Sequence, residues 1–193
     1  MSHFAYFGYG SLINRATHQN DVVEVRAARL HGWRRCWRPR PDMPGFPAVL
    51  LSVRREAGAS CEGVVVTDHL DNLAALDARE ARYSRHELRH GELHLHEGER
   101  PAMPVYVYQA NEAIPPHRDP PHILQSYLDA VMKGLLEVHG EASVAAFIAT
   151  TDGFDYPIHR DRGAPVYPRA IGIDAAEMAL FDALLEEAGC RFA

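Results

Sequence analysis

The sequence has 193 residues, and its 20 Lys and Arg against 26 Asp and Glu give a formal charge of −6 with histidines neutral. A chain of this length buries roughly 70% of the surface that its unfolded form exposes, so a core can form without metal or disulfide support. The excess of acidic residues argues against a protein that coats nucleic acid and against a polybasic membrane-binding protein. We therefore expect one domain over residues 1–193, with no nucleic-acid or membrane partner. The unusual number is that of histidine, at 12.

Cysteine usage and the N-terminus point to the cytoplasm. Cys36, Cys61 and Cys190 are odd in number and widely spaced, which indicates neither a disulfide framework nor a zinc ribbon. A reducing compartment fits this pattern best. The first residues lack the basic start and apolar stretch of a secretory signal.

Predicted strands dominate the first two thirds of the chain. The apolar run 4–7 stops at Gly8-Tyr9-Gly10-Ser11, which predicts a buried strand followed by a glycine-rich turn. Further β-branched or alternating runs predict strands at 22–25, 48–53, 62–67, 92–96, 104–108 and 166–173.

The first of three predicted helices carries a candidate catalytic group at its end. It begins near Thr67 or Asp68 and places Leu70, Leu73 and Leu76 on one apolar stripe.

The other two helices lie in the last third of the chain. The second covers residues 123–138, follows a proline-rich segment, 111–121, that we expect to be a surface loop, and ends at Gly140. The third begins near Asp174, where Glu177 completes a capping box. Separated helices among short strands predict an α+β fold rather than regular βαβ repeats.

The segment 26–40 holds six arginines and no acid, interleaved with Trp33 and Trp37. It could be a patch for an anionic substrate or nucleic acid, with stacking on the tryptophans. The alternative, which the acidic whole favours, is a solvated strand face.

The glycine-rich turn does not match the common nucleotide or nucleophile motifs. Gly8-x-Gly10-x-x-Ile13 lacks the third glycine of a dinucleotide fingerprint, and no βαβ pattern follows. Ser11 does not lie in a G-x-S-x-G nucleophile elbow. Two interpretations stay open: a turn whose backbone N–H groups bind an anion or oxyanion, or a turn that is merely tight.

Glu80 is the most informative side chain. The spacing of Leu73, Leu76 and Glu80 places a carboxylate on the apolar stripe of the first helix, near its C-terminus. Burial and the negative end of the helix dipole would both raise its pKa, which suits a group that accepts and returns a proton. The alternative is a solvated ion pair with Arg79, Arg82 or Arg85.

Neither a metal nor a cofactor is predicted. His94 and His96 would share one strand face, but they have no third ligand at a fixed spacing, and His86 and His90 add none. A solvated strand face accounts better for this histidine-rich segment.

Tyr127 lies between Leu124 and Leu128 on the inward stripe of the second helix, so its ring is expected in the core. Its hydroxyl needs a partner, which could be a polar pocket or a nearby carbonyl.

Three motifs occur in order that together resemble the γ-glutamylcyclotransferase superfamily. They are Tyr6-Phe7-Gly8-Tyr9-Gly10-Ser11-Leu12-Ile13, Leu76-Asp77-Ala78-Arg79-Glu80 followed by Tyr83 and Arg85, and Ser126-Tyr127-Leu128. The resemblance spans roughly residues 4–150, and the segment 161–169 resembles the tail of bacterial members.

The resemblance implies a small, β-barrel-like α+β fold and the release of 5-oxoproline from a γ-glutamyl compound. By matching positions, Glu80 would be the proton acceptor and Tyr127 would contact the glutamyl end of the substrate. Substrate-lining positions would be Tyr6, Phe7, Gly8, Tyr9, Gly10, Ser11 and Leu12. Leu12 stands where mammalian-type enzymes have asparagine, and the motifs are more similar to the ChaC branch, which acts on glutathione.

This activity agrees with the chemistry of the residues, because one carboxylate of raised pKa can take a proton from the attacking amine and return it to the leaving amine. Glutathione, a γ-glutamyl dipeptide and a γ-glutamylamine are all candidate substrates. The alternative function is a non-catalytic γ-glutamyl-binding or regulatory module on the same fold. Either protein would be a monomer or a homodimer.

Overall fold

The computed structural model describes residues 2–40, 47–111 and 120–193. The strands in this part of the chain are β1 (His3–Gly8), β2 (Glu24–Arg40), β3 (Ala48–His69), β4 (Tyr83–Glu87), β5 (Leu93–Leu95), β6 (Val105–Ala110), β7 (His122–Leu124) and β8 (Ile158–His159). The helices are α1 (Leu73–Arg79), α2 (Gln125–His139), α3 (Glu141–Thr150) and α4 (Ala175–Glu187).

The strands form one mixed sheet. Its main path runs β4-β6-β1-β3-β2-β5, and β7 pairs with both β3 and β8. The pairings β1–β6, β3–β7 and β7–β8 are parallel, and the others are antiparallel. The predicted α+β class, a mixed sheet with flanking helices, is confirmed.

Strand β1 lies inside the sheet because it is apolar on both faces. All its residues from Phe4 to Gly8 are buried, between β3 on one side and β6 on the other. Such a strand has no solvated face and therefore reads as a continuous apolar run. The glycine-rich turn that follows it therefore continues directly from a strand that is buried on both faces.

Helix α2 packs on the turn that follows β1. A Cβ at Gly134 would lie 2.7 Å from the backbone nitrogen of Asn14, so only glycine permits this approach. The Asn14 side-chain amide donates to the Ala130 carbonyl at 3.3 Å. These contacts fix the helix relative to the turn.

Several predicted strands are longer or differently bounded in the structure. The runs 48–53 and 62–67 are parts of the single strand β3, and 22–25 is only the entry to β2. The register between β2 and β3 shifts between His31 and Trp33, where Gly32 has a φ of 77°. Strands β2 and β3 supply backbone hydrogen bonds to each other along most of their length. Polar residues that look like strand ends in the sequence therefore remain within the paired strands.

The strand predicted at 166–173 is wrong, because no residue of this segment is in a strand. Pro165 and Pro168 cannot donate to a ladder, and the Val166 N–H is taken by the buried Asp161 carboxylate at 2.9 Å. The strands β4, β7 and β8 and helix α3 were not predicted.

The predicted helices are present with changed starts. Helix α1 begins at Leu73 after a 3₁₀ turn, and Leu70 is exposed rather than on the buried stripe. Helix α2 begins at Gln125, because Ile123 and Leu124 belong to the parallel strand β7.

The ends and caps were predicted better. Gly140 ends α2 with a φ of 81°, and Asp174 with Glu177 forms the expected capping box of α4. Residues 112–119 of the predicted proline-rich loop lie outside the described residues.

Within the described ranges, no helix has the length and apolar character needed to cross a membrane.

Candidate active site

A small pocket opens where the turn after β1, the end of α1 and the start of α2 meet. It encloses about 350 Å³ of empty space, including the part open to solvent. Its lining residues are Phe7, Tyr9, Gly10, Ser11, Leu12, Leu51, Glu80, Tyr83, Tyr108 and Tyr127. Glu80 and the glycine-rich turn therefore border the same cavity, which is the geometric condition that the predicted chemistry requires.

The turn after β1 is held in place by a buried arginine. Arg35, on β2, is 2% exposed, and its Nε donates to the Tyr9 carbonyl at 2.7 Å. Its Nη2 donates to the backbone carbonyl of Glu62. One guanidinium thus ties the turn to both β2 and β3, and two carbonyls that lie away from water receive a donor.

Glu80 is the residue at which helix α1 ends. Its N–H donates to the Leu76 carbonyl at 2.9 Å, and its side chain is 16% exposed. Burial raises the pKa of the Glu80 carboxyl above the ordinary value, and the neighbouring Arg79 opposes this rise. Because burial outweighs the cation, the carboxyl holds its proton to higher pH than a free glutamate.

Arg79 is the immediate partner of Glu80. Its Nε lies 3.3 Å from a Glu80 carboxylate oxygen, and its Nη1 donates to the Thr17 carbonyl at 3.0 Å. The predicted alternative, a solvated ion pair, does not describe this pair, since the Arg79 side chain is only 7% exposed.

Tyr127 faces the pocket from the first turns of α2. Its ring packs edge-on against Trp37 and Tyr167, with centroid separations of 5.9 and 4.9 Å. Its hydroxyl lies so close to the turn that a Cβ at Gly10 would be 2.9 Å from it. The absence of a side chain at Gly10 is what leaves room for this hydroxyl.

Two pocket tyrosines were missed as site residues. The Tyr83 hydroxyl donates to the Leu51 carbonyl at 2.9 Å, and the Tyr108 hydroxyl donates to Asp77 at 2.6 Å. Tyr83 follows the motif at 76–80 and could have been included on that ground. Tyr108 lies on β6, and only the sheet topology brings it here.

The phenols of the pocket are hydrogen-bond donors. Burial raises the pKa of Tyr9, Tyr83 and Tyr127 above the ordinary tyrosine value. They therefore stay protonated at neutral pH.

Tyr6 and Gly8, which the resemblance also implicates, do not line this pocket. Side chains alternate along a strand, so Tyr6 points away from Phe7. Tyr6 borders a second pocket with Asp68 and Arg79. Gly8 instead makes a close backbone contact, because a Cβ at Gly63 would lie 2.3 Å from the Gly8 carbonyl oxygen.

The arginine- and tryptophan-rich segment forms most of β2. Trp33 and Trp37 are buried in the core, so their rings are not available to stack on bases. Arg29 pairs with Glu62 and Arg34 pairs with Glu56. The paired, partly exposed arginines agree with the solvated strand face favoured from the sequence, but Arg35 is buried together with both tryptophans, so the face is not solvated throughout.

Comparison with known proteins identifies the family. The model of the family described as gamma-glutamyl cyclotransferase, AIG2-like, matches residues 6–129, which include every residue that lines the pocket. The chain belongs to this γ-glutamyl cyclotransferase, AIG2-like family. No curated protein matches the chain in the sequence comparison.

Solved structures of similar fold agree with this membership. One is a gamma-glutamyl cyclotransferase, 15% identical, with a TM-score of 0.58 over 94% of this chain and 99% of that one. Another is a human protein described as uncharacterized protein loc79017, 16% identical, with a TM-score of 0.54 over 94% and 99% of the two chains. At identities of 15% and 16%, the likeness to these two structures shows that this γ-glutamyl cyclotransferase family member shares their fold.

Proposed function

We propose that the chain is a γ-glutamylcyclotransferase, an enzyme that converts a γ-glutamyl compound into 5-oxoproline and a free amine. The observation that carries the proposal is the buried Glu80 carboxylate beside the glycine-rich turn in one small pocket. Family membership supports the same class of activity.

The reaction needs one group that both accepts and returns a proton. The α-amino nitrogen of the substrate forms a bond to its own γ-carbonyl carbon, and the bond from that carbon to the leaving amine breaks. The substrate ammonium first loses one proton to solvent; Glu80 then takes a second proton from the nitrogen as it attacks and delivers that proton to the departing nitrogen. A carboxylate of raised pKa suits both transfers near neutral pH.

The turn after β1 supplies donors for developing negative charge. In the 3₁₀ turn Ser11–Ile13, the Ile13 N–H donates to the Gly10 carbonyl at 2.9 Å. The N–H groups of Ser11 and Leu12 precede that bond and have no partner within the turn. In the proposed mechanism they receive the glutamyl carboxylate or the tetrahedral oxyanion.

The pocket suits a small, polar substrate such as an amino-acid derivative. Its lining is mostly aromatic and apolar, with one carboxylate and a few hydroxyl groups to orient a polar ligand. The Tyr127 hydroxyl would donate a hydrogen bond to the glutamyl end of the substrate. The tyrosine rings would hold the substrate in a folded conformation, with its α-amino nitrogen next to its γ-carbonyl carbon. The leaving group then projects toward solvent, which keeps glutathione, γ-glutamyl dipeptides and γ-glutamylamines as candidates.

The deciding experiment is an assay for 5-oxoproline with glutathione, a γ-glutamyl dipeptide and a γ-glutamylamine. At least one should give product, and Glu80→Gln should lower kcat by roughly 10²–10⁴-fold, the usual contribution of a general acid–base group. Glu187→Gln, an exposed glutamate at the end of α4, serves as the matched control. Full turnover by Glu80→Gln would rule out the mechanism.

The panel also tests the alternative of a non-catalytic binding module. If the pocket binds a γ-glutamyl compound without converting it, calorimetry with the same compounds would show tight binding and the assay would show no product.

A further inference from the structure

A cluster of three potential metal ligands lies outside the pocket and is not used by the proposed reaction. Glu62 comes from β3, His96 directly follows β5, and His139 is the last residue of α2. Their ligand atoms all lie within 4.8 Å of one another.

The separations approach those of a shared ion. The His96 Nε2 lies 2.9 Å from the Glu62 Oε2, and the His139 Nδ1 lies 3.8 Å from the same oxygen. Tetrahedral zinc ligands at their usual bond lengths are about 3.3 Å apart. Small side-chain rotations would bring these atoms to that spacing.

The tautomer of His139 is fixed in the form that a metal requires. Its Nε2 lies 2.8 Å from the Gly63 carbonyl oxygen, which can only accept, so Nε2 carries the hydrogen. In the neutral ring the lone pair is then on Nδ1, the atom on the Glu62 side. Metal-bound histidines characteristically donate their other N–H to a carbonyl in this way.

The carboxylate is oriented from its other side. The Arg29 guanidinium binds the Glu62 Oε1, with its Nε at 2.7 Å, and leaves Oε2 to the histidines. The His139 side chain is 4% exposed and that of Glu62 is 19% exposed, whereas His96 is 36% exposed and offers a path to solvent. Two of the three side chains are thus largely buried, and His96 connects the cluster to solvent.

We propose that Glu62, His96 and His139 bind a divalent transition-metal ion of the zinc type. Two imidazoles and one carboxylate favour such an ion over Mg²⁺ or Ca²⁺, which prefer oxygen ligands. Three protein ligands leave the fourth position to water. The site would be separate from the pocket around Glu80.

The test is titration of the tag-free, chelator-treated full chain with Zn²⁺ by calorimetry, and with Co²⁺ by visible absorption. We expect one equivalent to bind, and we expect Co²⁺ to give the intense visible bands of a tetrahedral site. His96→Gln and His139→Gln should each weaken binding at least about tenfold. The readout does not depend on 5-oxoproline formation, so failure here leaves the proposed function untouched.

His90→Gln is the matched control, because this histidine belongs to the same segment, is exposed and lies outside the cluster. It should bind both ions as the parent chain does. Circular dichroism of the ion-free variants checks folding, and His96→Gln, at the exposed edge, keeps the test valid if His139→Gln unfolds. No binding by the parent chain, or equal binding by parent and His96→Gln, would overturn the proposal and leave a simple Glu62–His96 hydrogen bond.

Discussion

Glu80 combines two properties at the residue scale: it is mostly removed from water, and its pKa is raised by that burial. A carboxyl whose pKa is higher in the folded than in the unfolded chain stabilises the fold when protonated. That stabilisation is complete below the unfolded pKa and is lost as pH rises through the folded one. The proposed catalytic group therefore costs the folded protein stability at neutral pH.

We expect Glu80→Gln to raise the melting temperature at neutral pH, because glutamine imitates the protonated form and never acquires the charge. The difference from the parent chain should shrink as pH falls through the raised pKa of Glu80 and should vanish below the ordinary glutamate range. Thermal unfolding across pH 4–8, with Glu187→Gln as control, measures this difference. A difference that stays constant with pH would contradict the raised pKa.

Gly10 gives a second prediction at this scale. Gly10→Ala places a methyl group 2.9 Å from the Tyr127 hydroxyl and should destabilise the protein by overpacking, by about 1–3 kcal/mol. Tyr127→Phe removes the oxygen that the methyl group meets. Urea unfolding of both single variants and the double variant should therefore show coupling of about 0.5 kcal/mol or more. Strictly additive effects would mean that the two groups do not touch.

At the scale of elements, the first turn of helix α2 is capped by a residue far along the chain. Both carboxylate oxygens of Asp161 are used there: one accepts from the Ser126 N–H at 2.7 Å, and the other accepts from the Ser126 hydroxyl. Leu124, at the N-cap, has no capping side chain. Asp161 thus does the work of an N-cap from 35 residues away.

Asp161→Ala should cost roughly 1–3 kcal/mol for each buried donor left without an acceptor, and it should weaken substrate binding because Tyr127 follows Ser126. Chemical denaturation and KM are the measurements. Asp155→Ala, an exposed acid between α3 and β8, should change stability by no more than about 0.5 kcal/mol. Equal midpoints for the two variants would show that the cap is dispensable.

At the scale of the whole molecule, the sequence predicted what is determined locally. The glycine-rich turn, the spacing of Leu73, Leu76 and Glu80 and the capping box at Asp174 are short-range patterns, and all are present, although Leu70 lies outside the buried stripe. Sequence spacing carries no information on which distant segments meet. Arg35 looked like one of six arginines on a strand, and only the folded structure shows that it holds the Tyr9 carbonyl.

The same limit accounts for the errors in element boundaries. The segment 166–173 has strand-like residues but no partner strand, and its N–H at Val166 binds Asp161 instead. Ile123 and Leu124 have helical spacing, but Ile123 pairs with β3 and both residues pair with β8. In both places a tertiary partner overrides the local preference.

The place of β1 within the sheet also matters while the chain is being made. Ala5 pairs with Thr67 on one side and with Val105 on the other, so its second partner is synthesised about a hundred residues later. At ribosomal rates of about 5–20 residues per second, this strand waits for roughly 5–20 s with an unpaired apolar edge. Strand β1 is thus enclosed on both sides only after β6 has been made, and its apolar edge stays open to contact with other chains during that interval.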